Sequence, residues 1–244
     1  MTETPLTLVC FAVKEESTPF KAALTSRADI QILLTGMGQR NAEKSIRSAL
    51  RNFRSSRRKE ALISSATDAP SHPQPASTPS LRHSTTPSLL LTCGFAGALS
   101  PDLSLGTVLF SCDDAPHLQP RLLAAGALPA RFHCSNRVAS TAAEKRQLWE
   151  STHAEAVEME SQTICNICRE HQIPCATIRV ILDTASEDLP LDFNFLMTAD
   201  QQMDYRKLAF SLAKSPSKIA ALLRLQKQSK AAAQKLAEVL LKVV

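Results

Sequence analysis

The chain has 244 residues, a formal net charge of +5, 44% hydrophobic residues and 5% aromatics. Ala, Leu, Ile and Val supply enough apolar material for a sizeable core, while the scarcity of aromatics argues against a stacking platform for carbohydrate or single-stranded nucleic acid. Much of the charge excess sits in one cluster, Arg51, Arg54, Arg57, Arg58 and Lys59, so no polyanion partner is required by the surface as a whole.

In chain order, Leu6–Val13 and Ile30–Thr35 are short apolar runs that predict buried strands, the first ended by Lys14-Glu15-Glu16 and the second by Gly36-Met37-Gly38. Ala42, Ile46, Ala49, Leu50 and Phe53 recur at helical spacing, with Asn41 as the expected cap. From about residue 55 to 88 the composition turns to Ser, Thr and Pro, which predicts a disordered insertion headed by the basic cluster. That cluster reads as a solvated helix end, with an interaction arm as the binding-module alternative.

Leu89–Cys93 resumes the sheet and is closed by a turn at Gly94-Phe95-Ala96-Gly97, and Thr107–Ser111 is the next strand. A Pro-rich stretch leads to a helix at Ala142–Thr152, a strand at Ala156–Met159, a helix at 161–171 and a strand at Cys175–Leu182. An acidic loop, Glu187-Asp188-Leu189-Pro190, precedes helices at about 204–214 and 217–241. Strands alternating with helices predict an α/β, three-layer αβα sandwich around a central mixed sheet, in one domain spanning 1–244. The last helix is amphipathic and suits packing on the body or on a partner better than lying on a membrane surface.

Seven cysteines form no regular framework, which fits reduced thiols in the cytoplasm. No apolar run reaches the roughly 18–20 residues that span a bilayer, and no leader opens the chain. Cys165-Asn166-Ile167-Cys168 lies within a predicted helix and lacks a second pair at zinc spacing, so neither metal nor cofactor is expected.

Chemistry gathers at strand ends: Glu16 after the first, the Gly94–Gly97 segment after the third, and Asp183 after the last, with Glu158-Met159-Glu160 at a strand-to-helix junction. In open α/β sheets ligands collect at such carboxyl ends, so these positions are expected to converge. Together with Thr35-Gly36-Met37-Gly38, the late motifs Val157-Glu158-Met159-Glu160 and Ile178-Arg179-Val180-Ile181-Leu182-Asp183-Thr184-Ala185 resemble the nucleoside phosphorylase and nucleosidase superfamily. The pattern is nearest to methylthioadenosine/S-adenosylhomocysteine nucleosidase.

The resemblance implies cleavage of the N-ribosidic bond of a purine nucleoside, with hydrolytic release of adenine from a 5′-modified adenosine as in methionine salvage. It makes Asp183 the acid that protonates the leaving base and Glu16 the base that activates water. Glu160 would bond the ribose hydroxyls, Met159 would pack on the sugar, and Arg179 would lie near the nucleophile and hold Glu160. The backbone at Phe95, Ala96 and Gly97 would border base and ribose. A homodimer is implied, with no obligatory nucleic acid.

Two positions depart from the nucleosidases: Phe95 stands in place of a serine that helps hold the aspartate, and Leu182 in place of the serine just before it. Ser111–His133 is also shorter than the corresponding region. A second branch, the hopanoid-associated phosphorylases, is similar around residues 137–146, 183–193 and 215–224. It implies phosphorolysis of a nucleoside such as adenosylhopane, with Gly36, Gly38 and Arg40 offered to phosphate. A noncatalytic nucleoside-binding member is the remaining alternative.

Overall fold

A computed structural model describes residues 5–24, 27–65, 86–198, 200–202, 204–215 and 217–244, without the side chains of 54–65, 213 and 217. The elements are β1 (Thr7–Phe11), α1 (Lys14–Ala23), β2 (Ile30–Leu34), α2 (Gln39–Ser65), β3 (Leu89–Ala98) and β4 (Val108–Ser111). A 3-10 turn at Pro116–Leu118 leads into α3 (Gln119–Ala124), β5 (Leu128–Pro129), β6 (Phe132–Cys134), α4 (Ala142–Thr152), β7 (Ala156–Glu158) and α5 (Ser161–Glu170). The chain closes with β8 (Cys175–Asp183), α6 (Phe193–Leu196), α7 (Tyr205–Lys214) and α8 (Ser217–Val243).

The strands form one mixed sheet in the order β2-β1-β3-β8-β4-β5, with β7 on the far end of β3 and β6 beside β7. β2, β1, β3 and β8 run parallel, whereas β4 is antiparallel to β8 and β7 antiparallel to β3. Residues alternate between faces as the pleat requires. Val9, Phe11, Leu91, Cys93 and Ile178 point toward Phe20 of α1 and Leu236 and Leu240 of α8. Leu8, Cys10, Leu90 and Cys175 point toward Ala42, Ile46 and Leu50 of α2 and Ile164 and Ile167 of α5. This is the expected helix–sheet–helix layering.

Several local expectations change. The helix predicted to stop at Phe53 runs on to Ser65, so the basic cluster lies on helical backbone. The rest of the predicted insertion, 66–85, falls outside the described residues. Asn41 is not the cap of α2: the helix starts two residues earlier, after Gly38 at φ +80°, and the Asn41 amide donates to the Met37 and Asp200 carbonyls. Gly94–Gly97 is not a turn but the second half of β3, because its backbone pairs with β8 through Ala96 and, after a register shift, Gly97 with Asp183. Helix α1 is absent from the sequence expectation because Lys14–Ala23 carries little apolar periodicity; of its side chains only Glu16, Ser17 and Phe20 are buried.

Helix α4 has the predicted bounds, and its start is fixed by a reciprocal cap. Thr141 Oγ1 accepts from the Glu144 N–H, while Glu144 Oε2 accepts from the Thr141 N–H. Asp188 of the acidic loop adds a third tie by accepting from the Ala142 N–H at 2.7 Å. No helix among the described residues is long and apolar enough to cross a membrane.

Because α8 completes one apolar face, its last turns should dominate stability. Leu240 is fully buried against the sheet and Leu241 is 40% exposed. Leu240→Ala is expected to cost about 2–5 kcal/mol in urea unfolding, whereas Leu241→Ala should change stability by less than about 0.5 kcal/mol.

Candidate active site

The parallel strands β1, β3 and β8 end on one side of the sheet, and the chemistry-bearing residues meet there. Glu16 lies in the first turn of α1 with its side chain folded back. Its Oε2 accepts from the N–H groups of Ala12 and Val13, and its Oε1 from that of Phe95 at 2.8 Å. Burial pushes the Glu16 carboxyl above its ordinary range, and the nearby Arg179 guanidinium with those N–H groups offsets part of the shift.

Arg179 sits in the middle of β8 and is 1% exposed. Its Nη2 lies 2.6 Å from Glu158 Oε2, 3.4 Å from Glu160 Oε2 and 3.3 Å from Thr92 Oγ1. Its Nε finds no hydrogen-bond partner among the described residues. The stronger tie thus goes to Glu158 rather than to Glu160, the partner expected from the sequence.

Glu158 is held by more than Arg179. Its carboxylate accepts from the Glu160 and Ser161 N–H groups and from Ser161 Oγ, which satisfies the start of α5. Desolvation opposes charge on Glu158, but Arg179 and these bonds outweigh it and hold its carboxyl below the ordinary value. Glu160 is left in the opposite state: burial, together with the adjacent Glu158 charge, raises it to about 7 against the pull of Arg179. Its Oε1 accepts from the Gly38 N–H at 2.7 Å, which links β7–α5 to the loop before α2.

The glycines of β3 make room for this network. A side-chain carbon on Gly94 would stand 2.6 Å from both Arg179 Nη1 and Glu16 Oε1, and one on Gly97 would stand 3.0 Å from Asp183 Oδ2. Neither distance is compatible with a Cβ unless the neighbour moves, so both positions belong to the site through what they lack.

Asp183 ends β8 and is 14% exposed at its side chain. Its Oδ2 lies 2.6 Å from Nζ of Lys145, a residue of α4 with no exposure at all. The same ammonium donates to the carbonyls of Thr184 and Glu187, each at 2.7 Å. Burial raises the Asp183 carboxyl above its ordinary value, while Lys145 draws it down in part. Lys145 lies in the 137–146 stretch but no chemistry singled it out there; a lysine in the first turn of a helix reads as a solvated side chain, and only the tertiary fold reveals its burial.

The carboxyls of this network line a cavity of about 310 Å³. Glu16, Glu160, Met159 and Asp183 border it together with Phe95, Ala96 and Gly97, and Leu182, Leu189, Phe193 and Leu225 supply an apolar wall. Arg179 does not line the cavity itself; it contacts two lining residues, Glu158 and Glu160. Larger grooves of about 760 and 700 Å³ lie elsewhere, one over β4–β6 and α5, the other between α2 and the start of α7. Neither contains Glu16, Glu160 or Asp183, so the smaller cavity is the candidate site. Cys165 does not pair with Cys168 across its CxxC; its Sγ lies 2.9 Å from that of Cys175 on β8. Among the described residues no cluster of His, Cys, Asp and Glu could hold a metal ion.

Residues 131–224 match a family model described as the phosphorylase superfamily. That segment contains Lys145, Glu158, Met159, Glu160, Arg179 and Asp183, but not Glu16. Comparison with curated proteins gives no match. Among solved structures, futalosine hydrolase of Helicobacter pylori superposes with a TM-score of 0.62 at 14% identity, over 98% of this chain and 97% of that one. The methylthioadenosine/S-adenosylhomocysteine nucleosidase of the same organism gives 0.61 at 14% identity, over 99% and 98%. The nucleosidase of Neisseria meningitidis, solved with methylthio-immucillin-A, gives 0.61 at 14% identity, over 98% and 97%. At such identity the likeness is one of fold. The described residues therefore have the fold of these nucleosidases and hydrolases, and segment 131–224 matches the phosphorylase superfamily that the late motifs resemble.

Proposed function

We propose that this protein hydrolyses the N-ribosidic bond of a 5′-modified adenosine, releasing adenine. One observation carries the reading: a buried carboxyl with a raised pKa, Asp183 at the end of β8, shares a single largely apolar cavity with two further carboxyls, Glu16 after β1 and Glu160 after β7. Cleavage builds positive charge on the ribose and negative charge on the departing purine, so it needs an acid at the base and a base at the nucleophile. Asp183 donates its proton to the purine, its O–H bond breaking as N7–H forms. The C1′–N9 electron pair leaves with the base, and water adds to C1′ as Glu16 takes its proton. Glu160 accepts from the ribose hydroxyls, and Met159 packs against the sugar.

Water is favoured over phosphate by what the donors already do. The Gly38 N–H, which a phosphate would require, is bonded to Glu160, and Arg179 is paired with two carboxylates. Arg40 is exposed to solvent rather than turned into the cavity. The apolar wall at Leu189, Phe193 and Leu225 suits a thioether on the 5′ carbon. The names of the structural relatives make methylthioadenosine, S-adenosylhomocysteine and futalosine the compounds to compare.

Purified protein incubated with each, with and without phosphate, should release base and free ribose product in phosphate-free buffer, with methylthioadenosine preferred. Ribose 1-phosphate formed only when phosphate is present would replace hydrolysis with phosphorolysis. No base from any of them would remove the reading.

Asp183→Asn should lower kcat by at least about 10²-fold, the usual scale of acid–base assistance, with an unchanged melting temperature. Glu16→Gln should lower hydrolysis by a similar factor.

Glu160 must be ionised to accept from ribose hydroxyls, and its carboxyl is raised to about 7. It is therefore charged above that pH and neutral below it. KM should rise as the pH falls from about 8 to 6, and this dependence should disappear in Glu160→Gln at a uniformly high KM.

A further inference from the structure

We propose that Lys145 is the positioning residue of the acid: its buried ammonium fixes one oxygen of Asp183 and stabilises the carboxylate that forms as the proton passes to the base. This rests on Asp183 acting as the acid. The first support is geometric. All three N–H directions of the ammonium are used, on Asp183 Oδ2 at 2.6 Å and on the carbonyls of Thr184 and Glu187 at 2.7 Å. The Asp183 oxygen so held cannot rotate away, and Oδ1 remains for the purine.

A second support is that the socket is built around the lysine. The Thr141–Glu144 cap and the Asp188 bond to the Ala142 N–H fix the start of α4, and the Leu189 N–H donates to the Ser140 carbonyl at 2.8 Å. The acidic loop is therefore clamped to α4 on one side and, through the Thr184 and Glu187 carbonyls, to the ammonium on the other. A lysine buried beside a carboxyl is a poor source of stability, because desolvation consumes most of any attraction between them. Its retention beside the candidate acid points to chemistry.

The third support is the company Asp183 keeps. Phe95 and Leu182, where the resemblance leads one to expect serines, leave it among apolar groups, and desolvation alone would make it a reluctant donor. An ammonium already in place favours the ionised product of proton transfer without any reorganisation. The proton that moves is the one on Asp183. The cation thus takes over the orienting task of the missing hydroxyls and sharpens the acid.

The test compares Lys145→Met and Lys145→Gln with the wild type on two substrates. One is the nucleoside that the wild type cleaves fastest; the other is 4-nitrophenyl riboside, whose phenolate leaves without protonation. Loss of acid assistance should lower kcat/KM on the nucleoside by about 10²-fold, with less than about threefold change on the aryl riboside. The alkaline limb of the nucleoside profile should move to higher pH, because Asp183 without its cation holds its proton longer. Adding Asp183→Asn to either variant should cost little more than Asp183→Asn alone.

Equal losses on both substrates would make Lys145 merely structural, and an unchanged rate on the nucleoside would remove its role; either overturns the inference and leaves the proposed reaction standing. A wild type that cleaves neither substrate would overturn both. Should Lys145→Met fail to fold, the Gln variant, which keeps a donor for the two carbonyls, decides the matter on the same readouts.

Discussion

A guanidinium buried in the middle of a sheet is the constraint around which the rest of this molecule is arranged. Arg179 lies on a strand flanked by neighbours on both sides, where any side chain is out of reach of water. An unpaired charge there would be prohibitive, so the surroundings must bring carboxylates to it. Glu158 and Glu160 come from β7–α5, Glu16 from the start of α1, and Thr92 from the adjacent strand. Three separate segments are thereby brought to Arg179 on one side of the sheet, and the cavity lies beside them.

Unequal sharing of that cation creates unequal carboxyls. Glu158, close to Arg179 and bonded to the first N–H groups of α5, stays ionised; it acts as the internal counter-charge and the helix cap. Glu160, farther away and beside a like charge, is pushed toward neutrality. Two carboxyls of one motif thus acquire different chemistry from their unequal distances to the same nitrogen and from the N–H groups that bond Glu158. The same logic separates Asp183, whose cation comes from α4; Gly97 makes room for it on β3 as Gly94 does for Arg179 and Glu16.

The two cation–carboxylate groups also explain the irregular parts of the chain. Gly94 and Gly97 interrupt an otherwise apolar strand because a Cβ would displace Arg179, Glu16 or Asp183. The loop after β8 presents Asp188 to the start of α4 and the Thr184 and Glu187 carbonyls to the buried ammonium. Stability is supplied elsewhere, by the aliphatic faces of the sheet against α1, α2, α5 and α8. The site itself consists of groups whose burial is costly, which is the usual division between scaffold and chemistry.

The sequence by itself determined the longer strands and most of the longer helices, the layered α/β class, and Glu16, Glu160 and Asp183 as the carboxyls that follow or end strands. These follow from period-2 and period-3.6 apolar patterns and from acidic residues that interrupt them, which are local signals. It misread Gly94–Gly97 as a turn, because a glycine signals backbone freedom without saying whether a turn or a close neighbour needs it. It passed over α1, whose register comes from packing rather than from periodicity. Tertiary structure alone decided that Arg179 is tied first to Glu158, that Gly38 serves Glu160, and that a lysine from α4 stands 2.6 Å from Asp183. Each of these joins segments distant in the chain, and the energy of a buried charge depends on which groups surround it in space, a quantity that no window of neighbouring residues contains.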